Sequence, residues 1–497
     1  MTKLTGKRMP VFSRWISSDE RADSGGSLKE QKGMDRVKSA VIGAGQYGTA
    51  VIVQQFSASG IEVKIAADLD AEKALRAYRE AGIPAERIVY AAGEGEARAA
   101  LASGKYVYTD RPEIVFGIEE IDVICDSTGN PETGARVALN ALEAGKNLVC
   151  VGKEADSAVG PFLRREFEKK GLIYSAADGD QHGLLVQLVK WARALGLTVV
   201  AGGKFRDGEL VCNSDLSEVR LWNFKTSILK EDRKWIRPFE GDIPLALESR
   251  KRVLSALPGA GGYDLCELCI AANYTGLKPI CAETVQPPLH LSEVASVFSE
   301  REHGGILGGA GYIDMVQNLR GERDAETGGG VFVVVRAENP HAQAVLVDKT
   351  GGANKDGSAC LLSRPYHLCG LETVASLIRA GRGIDGTDGL VLGLGDGKPE
   401  EKYRQRYDLV RLAKRPIHKG EIFGGDHSDF FDTRILPAAV RSAYSPVPAH
   451  LLTGNAAAAE IRAGELVTYA HVLPPRDSAL WELRARLERE TEVGLRP

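Results

Sequence analysis

From Val37 onward the chain alternates short apolar runs with longer segments of helical period. Val37–Ile42, Ile61–Ala67, Ile121–Cys125 and Asn147–Val151 read as buried strands, because each is a brief apolar run bounded by turn residues. Residues 46–58, 71–81, 93–103 and 132–144 read as the intervening helices. Strands alternating with helices over short connections predict a parallel sheet covered by helices on both faces. A second stretch of helices (160–170, 183–195) and strands (172–175, 198–201) follows. Residues 1–36 are polar and aperiodic and read as a disordered extension, with Met34 as an alternative start. Gly- and Asp-rich residues 381–404 read as a linker, and 405–475 as short strands separated by turns. Two phrases there, Ile417-His-Lys-Gly420-Glu-Ile and Ile461-Arg-Ala-Gly464-Glu-Leu, predict strand–turn–strand corners with glycine at positive φ. The charged tail 476–497 reads as a helix-like stretch and is expected to lie on the surface or at an interface.

The first strand and helix enclose Gly43-Ala-Gly45-Gln46-Tyr47-Gly48, and the second strand closes on Asp68, 20 residues past the third glycine. That spacing matches a dinucleotide-binding turn with its ribose-binding acid. Gly43 would permit the tight turn, Gly45 the approach of the pyrophosphate, and Gly48 close helix–strand packing. Residues 37–152 are therefore read as a Rossmann domain binding NAD or NADP. NAD is favoured, because a carboxylate at Asp68 would repel a 2′-phosphate, while Lys73 and Arg76 read as solvated helix residues. Thr128 and Gly129, after the strand ending at Cys125, are expected beside the nicotinamide.

Composition narrows the function classes. The 497 residues carry 63 Lys and Arg against 67 Asp and Glu, a net charge of −4, which argues against nucleic acid as a partner. No run approaches the length of a membrane span, so no membrane partner is expected. Eight cysteines, mostly inside apolar segments, do not form a disulfide framework and suit a reducing cytoplasm. The 56 glycines have no collagen period and fall in turns, site loops and linkers.

Several phrases in order bear a family likeness: Gly-Lys146-Asn-Leu-Val-Cys-Val-Gly-Lys153-Glu-Ala-Asp156, Ala177-Asp-Gly-Asp180-Gln, and Trp191 through Lys204. Others are Ala271-Ala-Asn273-Tyr-Thr-Gly276, Ser363-Arg364-Pro-Tyr366-His367, and Ala413 through Phe423. Together, over 37–475, they resemble the homoserine dehydrogenase-like NAD(P) oxidoreductases, in particular a bacterial subgroup with a C-terminal SAF domain. That resemblance implies a Rossmann domain, an α+β substrate and dimerisation region at 153–380 whose late segment returns to the nucleotide domain, and a β-rich SAF-like domain at 405–475. It also implies a homo-oligomer. Some subgroup members are described as 1-deoxy-D-xylulose-5-phosphate reductoisomerase-like, which suggests an NADPH- and metal-dependent alternative. The sequence departs from the pattern at His182, at Gly152-Lys153 and at Phe205-Arg206-Asp207, so homoserine is not the expected substrate.

Hydride transfer to a carbonyl needs a proton donor and groups that stabilise the developing oxyanion. Lys153, Glu154, Asp180 and Lys204 are the candidates, with His182 beside Asp180. Lys153 and Lys204 would move protons and bind the oxyanion, and Asp180 would orient them. Glu154 with Asp180 would be the ligands if a divalent metal took part, although nothing in the spacing demands one. Arg364 or His367 would reach the cofactor or an anionic substrate. The expectation is an NAD(P)-dependent oxidoreductase acting on a small, anionic polyhydroxy compound; a non-catalytic NAD(P)-binding sensor is the rival. Cys266-Glu-Leu-Cys269 reads as helix core rather than half a zinc site. Gly393–Lys398 reads as a surface loop, and Asp426-His427-Ser-Asp429 as a polar turn.

Overall fold

The computed structural model describes residues 36–239, 241–259, 262–385, 402–426 and 428–494. The extension 1–35 and the Gly393–Lys398 loop lie outside them, as does His427. Strands β1 (Val37–Ile42), β2 (Ile61–Ala67), β3 (Ile88–Tyr90), β4 (Tyr106–Thr109), β5 (Val123–Asp126), β6 (Asn147–Cys150) and β7 (Tyr174–Ala176) form one sheet. Its order is β3-β4-β2-β1-β5-β6-β7, with every pairing parallel. The strand order reverses at β1, between β2 and β5, which opens the ligand crevice at the carboxyl ends of these strands.

Both faces of this sheet are covered. One packs Val41, Val63 and Val149 against Val374, Leu377 and Ala380 of the helix Thr373–Gly381. The other packs against helices Pro131–Glu143 and Lys153–Lys169, and this core continues into the C-terminal module through Ile417, Phe423, Ile461 and Trp481.

A mixed sheet follows, made of β8 (Thr198–Phe205), β9 (Leu210–Cys212), β10 (Glu218–Leu221), β11 (Phe224–Ser227), β12 (Lys278–Pro279), β13 (Pro288–Leu289), β14 (Tyr312–Gly321), β15 (Val331–Arg336) and β16 (Cys360–Arg364). The main order is β11-β10-β9-β14-β8-β15-β16, with β8 parallel to β14 and antiparallel to β15. Helices Gln181–Ala194 and Gly262–Thr275 pack on it and on each other through Leu185, Val189, Leu268 and Ala272. The C-terminal module is built on β17 (Tyr407–Ala413) and β18 (Phe431–Pro437), paired antiparallel. Its two repeated phrases bond to each other: Ile417 and Ile461 exchange N–H···O bonds of 2.9 Å, and Gly420 and Gly464 take φ of +87° and +81°.

Three expectations change. The helix predicted to begin at Gly160 begins at Lys153 and runs through Pro161. Gly-Pro imitates a helix start, since proline is favoured in a first turn, but burial of Val159, Phe162, Leu163 and Phe167 holds one continuous helix. The supposed linker is packed at its end, where Tyr403 is buried and stacks on Tyr274 with ring centroids 3.5 Å apart. The charged tail is a helix, Ala479–Gly494, with Leu480, Trp481, Leu483 and Leu487 buried. Its Arg484 makes two 2.7 Å bonds to Asp408, so one of the tail's charges is an internal anchor rather than a solvated group.

Candidate active site

The glycine loop has the shape a pyrophosphate requires. Gly43 turns at φ +96°, and a Cβ there would lie 2.6 Å from the carbonyl oxygen of Ser127. A Cβ on Gly48 would lie 1.9 Å from the carbonyl oxygen of Gly43, so only glycine lets the helix Gln46–Gln54 sit this close to β1. A Cβ on Gly45 would meet nothing within 4 Å beyond its chain neighbours, and no side chain caps the helix that follows. Its first N–H groups are thus left for an anion. Gln46 is exposed at that opening. Tyr47 is not: its hydroxyl is 2.8 Å from Thr373 Oγ1 and donates to the Asp178 carbonyl, so it ties this helix to the returning helix Thr373–Gly381. Beyond β5, the hydroxyl of Thr128 donates to Asp126 at 2.8 Å, and Gly129 is exposed with φ +63°.

Asp68 follows β2 and accepts the Ala44 N–H at 2.8 Å and the Asp70 N–H at 3.0 Å. It therefore braces the glycine loop and keeps a partly exposed carboxylate where ribose hydroxyls would come. Lys73 and Arg76 are exposed on the helix Ala71–Glu80. Asp68→Asn retains an acceptor for Ala44 but removes the charge. A hydrogen bond to a charged group is worth about 1.5–3 kcal/mol, so NAD binding should weaken roughly 10- to 100-fold while NADP binding weakens less. Calorimetric titration with both nucleotides checks this, and NADP binding tighter than NAD to the parent chain would overturn the role of Asp68.

Next to the carboxyl ends of β6 and β7 lies a buried cluster of charge. Lys153 is the first residue of its helix, Asp180 is the N-cap of the helix Gln181–Ala194, and Lys204 is the penultimate residue of β8. One carboxylate joins the two lysines: Glu267 bonds Lys153 through one oxygen and Lys204 through the other. Lys204 also donates to Asp264 at 2.9 Å. Gln181, between Asp180 and His182, donates to the Phe205 carbonyl at 2.8 Å and fastens this helix to the end of β8. Burial by itself would discharge both lysines, but Glu267 together with Asp180 for Lys153, and together with Asp264 for Lys204, outweighs it and holds them protonated. Burial likewise disfavours the Asp180 anion, yet Lys153 and His182 hold its carboxyl well below the ordinary range.

Access separates the two lysines. The side chain of Lys204 is 2% exposed and covered by Asp264 and Glu267, whereas that of Lys153 is 19% exposed. Lys153 can therefore meet a substrate, and Lys204 positions Glu267. This divides a role that the sequence assigns to both. His182 is buried, its Nδ1 lies 3.8 Å from Asp180, and neither ring nitrogen has a hydrogen-bond partner among the described residues. Its charge favours the Asp180 anion, and its side chain is not exposed.

Three further candidates take these places in the structure. Glu154 is partly buried, and burial pushes its carboxyl up while the charged groups acting on it include His450, Lys153 and Asp426. Among the described residues the one group of three potential ligands at metal spacing is Glu300, Glu302 and His303. Arg364 is exposed and bonded through one nitrogen at 2.6 Å to Glu372. Asp426 lies in a turn, as read, where it is ion-paired with Arg411 and sits 3.2 Å from Nε2 of His450.

His367 does join the cluster, 3.7 Å from Asp207. Burial opposes its charge, but Cys369, Asp207 and Asp180 prevail and push the imidazole up to about 9. A group raised from an ordinary 6.5 to about 9 stabilises the fold fully below pH 6.5 and loses that contribution as pH rises to 9. His367→Gln should flatten this part of the stability–pH curve, as read by denaturant midpoints across the interval; an unchanged slope would contradict the pairing.

Glu267 and Asp264 were not singled out in the sequence. They are hidden in Tyr263-Asp-Leu-Cys-Glu-Leu-Cys-Ile-Ala-Ala, a helix whose cysteines are indeed core. The available signal was two acids three residues apart in an otherwise apolar helix: they share a face, and buried charge must be paired.

Residues 259–373, which include this helix and His367, match the family model for the catalytic domain of the oxidoreductase DRL. The match supports an oxidoreductase. No curated protein matches the chain. Among solved structures, myo-inositol dehydrogenase from Lactobacillus casei, in complex with NAD(H) and myo-inositol, aligns over 36% of this chain and 47% of its own at 17% identity and TM-score 0.27. A probable dehydrogenase from Thermotoga maritima aligns over 71% of this chain and 92% of its own at 11% identity and TM-score 0.35. WlbA dehydrogenase from Bordetella pertussis, in complex with NADH and UDP-GlcNAcA, aligns over 35% and 47% at 14% identity and TM-score 0.24. The chain thus spans about half the length of the first and third, and at these scores the likenesses decide nothing about chemistry. No helix among the described residues is long and apolar enough to cross a membrane.

Proposed function

We propose that the chain is an NAD(P)-dependent oxidoreductase that reduces a carbonyl, or oxidises the matching alcohol, of a small polyhydroxy compound. The observation that carries this reading is the Lys153–Glu267–Lys204 bridge beside the carboxyl edge of a parallel sheet with a dinucleotide cradle. The bound nicotinamide would supply or accept the hydride at its C4. Gly43, Gly45 and the first turn of Gln46–Gln54 would hold the pyrophosphate, and Asp68 the ribose. Lys153, kept protonated by Glu267 and Asp180, would face the carbonyl oxygen, stabilise its developing charge and give it a proton. Glu267 fixes the ammonium's position, and Lys204 with Asp264 fixes Glu267.

The charge pairing argues for a neutral, hydroxylated substrate rather than the anionic one expected from the sequence. Lys153 and Lys204 are matched by Glu267 and Asp264, Arg364 by Glu372, and His367 by Asp207. An added phosphate or carboxylate would need a cation of its own in this desolvated space. The same pairing disfavours the metal-dependent reductoisomerase alternative, whose substrate is a phosphate. The resemblance to homoserine dehydrogenase-like enzymes with a SAF module fits the proposal and remains part of it.

The test is formation of reduced nicotinamide by the purified chain with NAD⁺ or NADP⁺ and a panel of cyclic polyols, sugars, sugar acids and sugar phosphates. Turnover of neutral polyols or sugars is the expected result. Preference for phosphates would overturn the substrate class. Tight cofactor binding with no turnover of any compound would favour the sensor reading.

A further inference from the structure

The two turns that carry the proposed chemistry, one beginning at Lys153 and the other bearing Asp264 and Glu267, are joined by residues of the C-terminal module. Ser157, one turn past Lys153, has its Oγ 2.7 Å from Nδ1 of His450 and donates to the Glu154 carbonyl at 3.1 Å. Nε2 of the same imidazole lies 3.2 Å from both oxygens of Asp426. Asp426 is paired with Arg411 on β17, and Arg411 donates to Thr433 on β18 at 2.5 Å. That Arg411–Thr433 pair sits directly on the start of the other helix: a Cβ on Gly262 would lie 2.5 Å from the guanidinium and 3.0 Å from Thr433 Oγ1. Between the helices, the Cys266 thiol donates to the Lys153 carbonyl at 3.6 Å. Ser157, His450 and Arg411 are 2–3% exposed, so the chain of contacts is internal. Glu154, Asp426 and Arg411 are the charged groups facing His450.

This network adds to the apolar seam a buried polar link between the module and both helices. Both nitrogens of His450 are used, one toward each side, and the span ends on the first turns of the two helices whose spacing sets the Lys153–Glu267 contact. We propose that the C-terminal module is a positioning part of the active site, in which His450, through Ser157 and the Asp426–Arg411 pair, sets the distance between the Lys153 turn and the Asp264–Glu267 turn. The link to turnover rests on the hydride-transfer reading; the link to Lys153 does not.

The test therefore reads Lys153 directly. Full-length parent and His450→Ala are acetylated with acetic anhydride over a pH series, and modification of Lys153 is followed by peptide mass spectrometry, with exposed Lys73 as internal reference. A loosened Glu267 contact lowers the ammonium's pKa, and one unit raises the reactive fraction about tenfold, so labelling of Lys153 should rise about tenfold relative to Lys73. His450→Asn, which retains a polar group toward Ser157, should restore part of the protection. Where substrate is in hand, kcat should fall with cofactor affinity unchanged. Unaltered Lys153 labelling in a folded His450→Ala chain overturns the proposal, whatever becomes of turnover. If that variant does not fold, Ser157→Ala removes the same link at one contact and is judged by the same labelling. Failure of every substrate with a positive labelling result would sink the hydride-transfer reading and leave this one standing.

Discussion

Lys153→Met is expected to lower turnover by about two to four orders of magnitude, the usual contribution of a positioned proton donor, with NAD(P) affinity nearly unchanged. The cradle residues Gly43, Gly45 and Gly48 belong to the turn between β1 and the helix Gln46–Gln54, whereas Lys153 follows β6. Removal of the ammonium therefore leaves the nucleotide site intact. Methionine keeps the length and apolar stem of lysine, and the partly exposed position tolerates it. Glu267 would lose one partner but keep Lys204, which limits the structural consequence. The measurement is kcat on a substrate found with the parent chain, beside nucleotide titration; turnover within a few-fold of the parent would remove Lys153 from the mechanism.

Glu267→Ala should have the largest effect on stability. It leaves Lys204, 2% exposed, with only Asp264, and strips Lys153 of its partner. Breaking a buried pair by deleting one member costs about 3–5 kcal/mol, because the other charge stays desolvated. The denaturant midpoint should fall accordingly, and turnover with it, since Lys153 would no longer be held protonated and in place. Glu267→Gln retains the shape and part of the hydrogen bonding, so it should lose less stability yet still lose turnover. A Glu267→Ala chain within about 0.5 kcal/mol of the parent, the range of ordinary surface changes, would show that the bridge does not bind the two lysines together.

The nucleotide half was legible because its signals are local. A strand of six residues, a glycine where φ must be positive, another where a Cβ would strike a carbonyl, and an acid after the next strand all lie within about 30 residues and act on their neighbours. The glycine corners at Gly420 and Gly464 were readable for the same reason. Boundaries set by packing were not: Pro161 signalled a helix start that burial overrode, and the charged composition of 476–497 concealed an apolar stripe and the internal Arg484–Asp408 pair.

Residue types and order along the chain thus determined that there is a parallel nucleotide-binding sheet, where its glycine turn lies, and that Lys153, Asp180 and Lys204 stand at strand ends able to form a site. Only the tertiary structure decided which of them meet and what each can do. The helix Gly262–Thr275 brings Asp264 and Glu267 to the lysines across 60 residues or more, shields Lys204 and leaves Lys153 open, while Arg364 turns to Glu372. Pairing of buried charge is a property of three-dimensional neighbours, because the energy of a carboxylate depends on which cation and how much water surround it.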